Sequence, residues 1–254
     1  MDLGTRILII CLAALLASGL VPMPAPAPAQ AEPVAPPETE APAPPPTVGV
    51  TEMEDVSSTD WFYTYVRLGF RHGFLHGTDG RFEPNRVLTR AEFITILGRL
   101  HQALGGLLGR ADDSLFELYT DITAEAFYLP YLFWSTAQGL VEADEYDRFR
   151  PGDSIRREEM ALILARYLDV FRLHPHFEDI AQERPSYADW EDIAPWAYHE
   201  AHLLQNYGLM HGIHVPGGTP GVYLFRPDGS TLRGEAAAIF ARLFNQVFEA
   251  PAAV

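Results

Sequence analysis

Cysteine and lysine are almost or entirely missing from this chain of 254 residues. Cys11 is the only cysteine, so the chain can neither close an internal disulfide nor build a thiolate metal site. Lysine does not occur, and the 18 basic residues face 34 acidic ones, which gives a formal net charge of -16. This excess of negative charge argues against nucleic acid and against an anionic membrane surface as partners, because both repel an acidic chain.

The common patterns of enzymes and metal sites are missing as well. The chain has no nucleophile elbow, no phosphate-binding loop and no His-Glu-x-x-His motif. His72 and His76 have the spacing of a zinc pair on a helix, but no third fixed ligand accompanies them. The adjacent carboxylates of Glu158 and Glu159 diverge on a helix and are a weak acid/base pair. We therefore predict no catalytic residue, no cofactor and no metal site.

The N-terminal residues have the features of an export segment. Arg6 precedes an apolar run of 14 residues over 7–20, which is short for a membrane span of roughly 20 residues. Ala29-Gln30-Ala31 offers a small-x-small cleavage site. We predict a signal peptide over residues 1–31, and an uncleaved N-terminal membrane anchor is the open alternative.

Proline dominates the stretch that follows. Residues 22–46 contain 11 prolines in 25 positions, interleaved with alanine. Such a composition cannot pack a core and favours an extended polyproline II conformation. We predict a disordered Pro/Ala-rich linker over residues 32–52 that holds the folded part away from a surface.

From about residue 55 the chain repeats one pattern three times. An aspartate is followed by an aromatic residue, a glycine, a Phe-x-Pro turn and an arginine. The aromatic residue precedes the glycine by 12 positions in every copy, and the phenylalanine precedes the arginine by 8. The repeated positions are Asp55, Trp61, Gly73, Phe82 and Arg90, then Asp121, Phe127, Gly139, Phe149 and Arg157, then Asp179, Trp196, Gly208, Phe225 and Arg233. This agreement indicates three structural repeats, the third with insertions near 181–192 and 213–222.

Each copy predicts a helix, a loop and a second helix. The first helix ends at the glycine, which suits a left-handed C-terminal cap. The second begins at the arginine, and apolar residues recur 3, 6, 7 and 10 positions later, on one helical face. A single helix pair cannot bury such a face, so the copies must pack on one another. We predict an all-α fold with repeats over 53–110, 111–174 and 175–250.

The start of the second helix in the first copy carries an unusual cation. Thr89 and Glu92 form a capping box, and Arg90 then opposes the helix dipole. Either Arg90 and the free first-turn N–H groups face one anion, or Arg90 forms a salt bridge to a neighbouring repeat. The arginine recurs at Arg157 and Arg233 although the threonine does not, which favours the anion site.

The repeated pattern resembles the S-layer homology domain, over about residues 55–248. The resemblance implies a pseudo-threefold helical spindle of three repeats. It also implies non-covalent attachment of a secreted protein to the bacterial cell wall or S-layer. The ligand implied is a secondary cell-wall polysaccharide bearing pyruvate ketals, bound in grooves between repeats.

The chemistry of this ligand selects the candidate binding residues. Arginines suit its carboxylate, aromatic faces suit sugar rings, glycines permit close approach, and aspartates accept from hydroxyls or orient the arginine. The candidates are Arg90, Arg157, Arg233, Trp61, Trp196, Gly77, Gly212, Asp55, Asp121 and Asp179. The second and third repeats depart from the pattern at Phe127, Arg156, Leu232 and Gly234, so we expect the first groove to bind best.

These observations predict a non-catalytic cell-surface anchoring module for an anionic, pyruvylated wall polysaccharide. The alternative is a membrane-anchored helical scaffold that binds a protein partner at the surface. A wall hydrolase that uses carboxylates of the repeats is a more distant alternative.

Overall fold

The computed structural model describes residues 53–109, 113–173, 187–214 and 221–248. The predicted signal peptide, the linker and Asp179 lie outside these residues. We call residues 53–109 unit 1, residues 113–173 unit 2 and the described residues from 187 to 248 unit 3.

The described fold is all-α, as predicted. Its helices are α1 (Tyr63–Arg71), α2 (Arg90–Ala103), α3 (Leu129–Ala137), α4 (Arg157–Val170), α5 (Tyr198–Asn206) and α6 (Arg233–Phe248). Two 3-10 helices cover Asp113–Leu118 and Trp190–Asp192, and β1 (Ile213–His214) pairs antiparallel with β2 (Tyr223–Leu224). None of the described helices combines the length and apolar character that crossing a membrane requires.

The predicted helix signals are confirmed in all three units. The glycine after each first helix is left-handed, with φ of 73° at Gly73, 69° at Gly139 and 64° at Gly208. Each second helix begins at the predicted arginine. The first helices begin two residues later than expected, so Trp61, Phe127 and Trp196 precede them. The predicted apolar face of each second helix is buried.

The units pack in a closed ring. Each second helix packs against the first helix of the next unit, so α2 meets α3, α4 meets α5, and α6 returns to α1. Phe93 of α2 and Phe240 of α6 also meet in the core, with ring centroids 5.4 Å apart. Every unit therefore buries its apolar face against both of the others.

Backbone hydrogen bonds follow the same cyclic order. In unit 1 the N–H groups of Arg90 and Ala91 donate to the carbonyls of Asp153 and Pro151 in unit 2, at 2.9 and 3.2 Å. The equivalent bonds in the other units are Arg157 to Gly229, Glu158 to Pro227, Arg233 to Arg86 and Gly234 to Pro84. The loop of each unit thus satisfies two N–H groups at the helix start of the unit before it.

One buried position near these helix starts has a polar group without a partner. Leu88, Ile155 and Thr231 occupy equivalent positions and are all fully buried. The hydroxyl of Thr231 has no hydrogen-bond partner within the described part of the chain. Burying an unpaired hydroxyl is unfavourable, because the water it gives up is not replaced.

We expect Thr231→Val to raise the free energy of unfolding by about 1 kcal/mol, because valine keeps the shape and removes the unpaired hydroxyl. Chemical denaturation measures the change. Thr95→Val is the matched control, since the buried Thr95 hydroxyl donates to the Ala91 carbonyl at 2.8 Å. An equal effect at both positions would contradict the prediction.

A buried histidine makes the fold sensitive to acid. His101 lies among Trp134, Tyr167 and Phe171, with its Nδ1 3.3 Å from the Tyr167 hydroxyl. Burial lowers the pKa of His101 from 6.5 to about 4. In the unfolded chain the His101 imidazole takes up a proton near its ordinary pKa, whereas in the folded protein it does so only at lower pH.

Stability from this site should be complete above about pH 6.5 and should fall as the pH drops toward about 4. The slope approaches about 1.4 kcal/mol per pH unit inside that window. Denaturation series at several pH values measure it. His101→Gln should flatten the slope, whereas His199→Gln at an exposed position should leave it unchanged. If the pH dependence of stability persists in the His101→Gln variant, other titratable groups cause it.

Candidate functional site

The three repeated arginines join neighbouring units. The guanidinium carbon of each lies over the phenylalanine ring of the next unit, 5.3 Å from the centroid for Arg90 over Phe149. Its Nε donates to the carbonyl of the same phenylalanine, at 2.8 Å. The equivalent pairs are Arg157 with Phe225, at 5.5 and 2.6 Å, and Arg233 with Phe82, at 4.9 and 2.8 Å.

Aspartates hold the other side of the same peptide group. The carboxylate of Asp55 accepts from the backbone N–H groups of Phe82 and Glu83, at 2.8 and 2.7 Å. Asp121 accepts likewise from Phe149 and Arg150, at 2.9 and 2.7 Å. In each unit one peptide thus donates to its own aspartate and accepts from the arginine of the preceding unit. We call this arrangement the clamp.

The clamp holds a backbone conformation that is unfavourable without glycine. The residue after the phenylalanine has φ of 58° in Glu83, 58° in Arg150 and 56° in Arg226. A left-handed residue with a side chain carries a strain of about 1–3 kcal/mol, which the surrounding contacts must offset. The two hydrogen-bonding partners of the clamped peptide provide such contacts.

The clamp corrects the alignment of the third repeat. Phe225 and Arg226 donate their backbone N–H groups to Asp189, at 2.7 and 2.8 Å. Asp189 is therefore the equivalent of Asp55 and Asp121, and our placement of this position at Asp179 is wrong. Most of the inserted residues precede Asp189. The pair Asp179-Ile180 misled the alignment because it copies Asp121-Ile122, whereas Asp189 is followed by Trp190.

The anion-site interpretation of Arg90 is wrong in one respect. The first-turn N–H groups of Arg90 and Ala91 are not free, because they donate to unit 2. Nη1 of Arg90 pairs with Glu159 of unit 2 at 2.9 Å, and Nη1 of Arg233 lies 3.5 Å from Glu92 of unit 1. Only 8% of Arg90 and 3% of Arg157 are exposed. The geometry matches the alternative, a salt bridge to a neighbouring repeat.

The partners of the buried arginines are also helix caps. Glu92 accepts from the N–H of Thr89 and completes the predicted capping box. Glu159 accepts from the N–H of Arg156, whose own side chain has no acceptor to return the bond. Burial lowers the pKa of Arg157, and the negative charge of Glu235 opposes that shift.

The two candidate glycines are required by packing of the chain itself. A Cβ on Gly77 would lie 2.6 Å from the Arg81 carbonyl oxygen, and one on Gly212 would lie 3.2 Å from the Tyr187 ring. These contacts explain both glycines without a ligand. Among the described residues, no group of three or more His, Cys, Asp or Glu side chains could hold a metal ion.

The aromatic residues before the first helices remain exposed. Trp61 is 60% exposed, Phe127 62% and Trp196 45%. The sequence pattern alone does not select Phe127 as a candidate, because it is not tryptophan, although its spacing matches that of Trp61 and Trp196.

Each exposed aromatic lies two residues before a first helix, which packs against the second helix of the preceding unit. Trp61 directly precedes Phe62, whose ring lies 3.3 Å from where a Cβ on Gly234 would be. Phe127 precedes Tyr128, and their rings are 5.5 Å apart. We name the three places by their units and residues: junction 1/2 (Arg90, Ala91, Phe127), junction 2/3 (Arg157, Glu158, Trp196) and junction 3/1 (Arg233, Gly234, Trp61).

Comparison with known proteins identifies the repeats. Residues 52–94 and 118–161 match the model of the S-layer homology domain. These two segments are similar to S-layer homology domains. Such domains are non-catalytic anchoring modules of cell-surface proteins, and they support a location at the cell wall or S-layer. Unit 3 lies outside the matched segments but has the same helix pair and the same clamp.

The similar proteins are larger surface proteins. An amylopullulanase of Thermoanaerobacterium thermosulfurigenes is 29% identical over 70% of this chain, and the chain spans 9% of that protein. The exoglucanase XynX of Acetivibrio thermocellus is 28% identical over 70% of this chain, and the chain spans 15% of that protein. A cellulosome-anchoring protein of the same species is 22% identical over 61% of the chain, which spans 34% of it. The similarity to the enzymes is confined to their S-layer homology region.

We expect Asp189→Ala to lower the free energy of unfolding by about 2–4 kcal/mol, because two backbone N–H groups lose their acceptor. Thermal or chemical denaturation measures the loss. Asp179→Ala is the control and should change stability by less than about 0.5 kcal/mol. A larger loss of stability in Asp179→Ala than in Asp189→Ala would show that Asp179, and not Asp189, is the equivalent of Asp55 and Asp121.

Proposed function

We propose that this chain anchors a protein to the cell wall by binding an anionic, pyruvylated secondary wall polysaccharide in grooves at its junctions. The observation that carries the proposal is the exposure of three aromatic side chains at equivalent positions, each two residues before a first helix that packs on the preceding unit. Sugar rings present C–H faces that stack on aromatic planes. The same exposed aromatic position recurs in all three units. A ligand with repeating sugar units explains this recurrence better than coincidence does.

The charge for an anionic ligand comes from arginines at the rim of the junctions. Arg150 lies beside Glu159 at junction 1/2, and Arg86 lies beside Glu92 at junction 3/1. Their side chains are 36% and 40% exposed, whereas Arg90 and Arg157 are buried and the side chain of Arg233 is 11% exposed. We assign the ligand carboxylate to these half-exposed guanidinium groups, through the N–H groups that their pairs with Glu159, Glu92 and Glu83 leave over.

The buried arginines act on the ligand indirectly. Arg90 and Arg233 hold the loops and the glutamates against which Arg150 and Arg86 are placed. Local charge decides the contact, since salt screens the net negative charge of the chain beyond about 8–10 Å. Acidity of the whole chain is therefore compatible with an acidic glycan.

The test is co-sedimentation of the purified chain with native cell walls and with walls stripped of their non-peptidoglycan polymer. We expect the chain to pellet with native walls only. The double variant Trp61→Ala, Phe127→Ala should lower the affinity about tenfold, since each stacked ring contributes roughly 0.5–1.5 kcal/mol. Val170→Ala is the control, because this exposed side chain lies at the other end of α4 from Arg157.

Equal binding to both wall preparations would overturn the glycan proposal. Binding that depends on wall protein would favour the scaffold alternative, in which a surface protein is the partner. Release of soluble sugar fragments would favour the hydrolase alternative.

A further inference from the structure

The three junctions differ at the residue that follows the buried arginine. This residue is Ala91 at junction 1/2, Gly234 at junction 3/1 and Glu158 at junction 2/3. All three donate their backbone N–H to the loop of the next unit, so the backbone is the same. Only junction 2/3 adds a long acidic side chain at this place.

The carboxylate of Glu158 is bound as a ligand would be. The backbone of Ala194 in unit 3, two residues before the exposed Trp196, lies close enough to this carboxylate to lower its pKa. The carboxylate also pairs with Nη1 of Arg156 at 2.9 Å, and the Glu158 side chain is only 4% exposed. Burial raises the pKa of Glu158, and the charge of Arg156 opposes the shift. A backbone N–H and a guanidinium are the donors that a carboxylate takes.

A salt bridge between units covers this carboxylate. Nη1 of Arg156 in unit 2 lies 3.1 Å from Oδ1 of Asp228 in unit 3. By spacing, Asn85 and Gly152 occupy the position of Asp228 in the other units, and neither is charged. Thr89 and Leu232 occupy the position of Arg156. The covering pair therefore cannot form at junction 1/2 or junction 3/1.

We propose that Glu158 is a built-in occupant of junction 2/3, whose side chain and covering salt bridge fill the space that the ligand enters at the other two junctions. The inference rests on the proposed function. The chain then binds the anionic glycan at junctions 1/2 and 3/1 and is closed to it at junction 2/3. Glu158 thereby determines which junctions are selective for an anionic sugar.

The occupant also marks the donors at the open junctions. By their spacing to the exposed aromatic, the equivalents of the Ala194 N–H are those of Thr59 and Glu125. The N–H of Thr59 makes a long bond of 3.4 Å to the Ser57 hydroxyl, which a carboxylate can replace. At junction 3/1 this N–H lies two residues before the exposed Trp61.

The number of binding sites tests the inference. The probe is a methyl hexosaminide with a 4,6-pyruvyl ketal, and its isopropylidene analogue replaces the carboxylate by a methyl group. We expect calorimetric titration of the unaltered chain to give two sites for the pyruvylated probe. Glu158→Ala, which copies Ala91, should give three. Glu158→Gln keeps the volume and an acceptor, so it should stay at two, as should the exposed control Glu145→Ala.

The reciprocal variant Ala91→Glu should reduce the number of sites to one, with the fold checked by circular dichroism. The isopropylidene analogue should bind at least tenfold more weakly to every variant. Three sites in the unaltered chain, or two in a folded Glu158→Ala variant, would overturn the inference and leave the proposed function standing. Absence of binding by every variant would overturn the proposed function and this inference with it.

Discussion

The whole described fold depends on one clamped peptide group in each unit. Its N–H side is held by an aspartate of the same unit, and its carbonyl by an arginine of the preceding unit. Because the units form a closed ring, each clamp joins two units that are also joined through the third. Loss of one clamp therefore frees a strained left-handed residue and loosens two interfaces at once.

This constraint explains why arginine recurs at a helix start where the dipole disfavours it. Each guanidinium donates to a backbone carbonyl and lies over an aromatic ring. Those of Arg90 and Arg233 also pair with a glutamate. An ammonium group lacks the planar fork that can serve these partners together. Recurrence of a residue in a repeat therefore signals shared architecture first, and a ligand only if part of the residue stays exposed. The aromatic residues at the junctions meet that second condition, whereas the buried arginines do not.

Local signals in the sequence predicted the elements of the fold, and contacts between units decided the rest. The glycine caps, the helix starts and the buried face each depend on residues within a few turns of one another. The loss of free N–H groups at Arg90 depends on carbonyls about 60 residues away, which no local pattern reveals. The wrong choice of Asp179 as the repeated aspartate has the same origin. Only the hydrogen bonds from Phe225 and Arg226, which are distant in sequence, identify Asp189 as the equivalent residue.

The clamp also explains how one scaffold can carry three different junctions. It uses the arginine side chain together with backbone groups, and the next residue contributes only its N–H to the ring. The side chain at that next position is therefore free to vary without opening the ring. In our proposal alanine and glycine leave the junction open, whereas glutamate fills it with a carboxylate that pairs with Arg156. Ligand selectivity can thus change at one position while the fold stays closed.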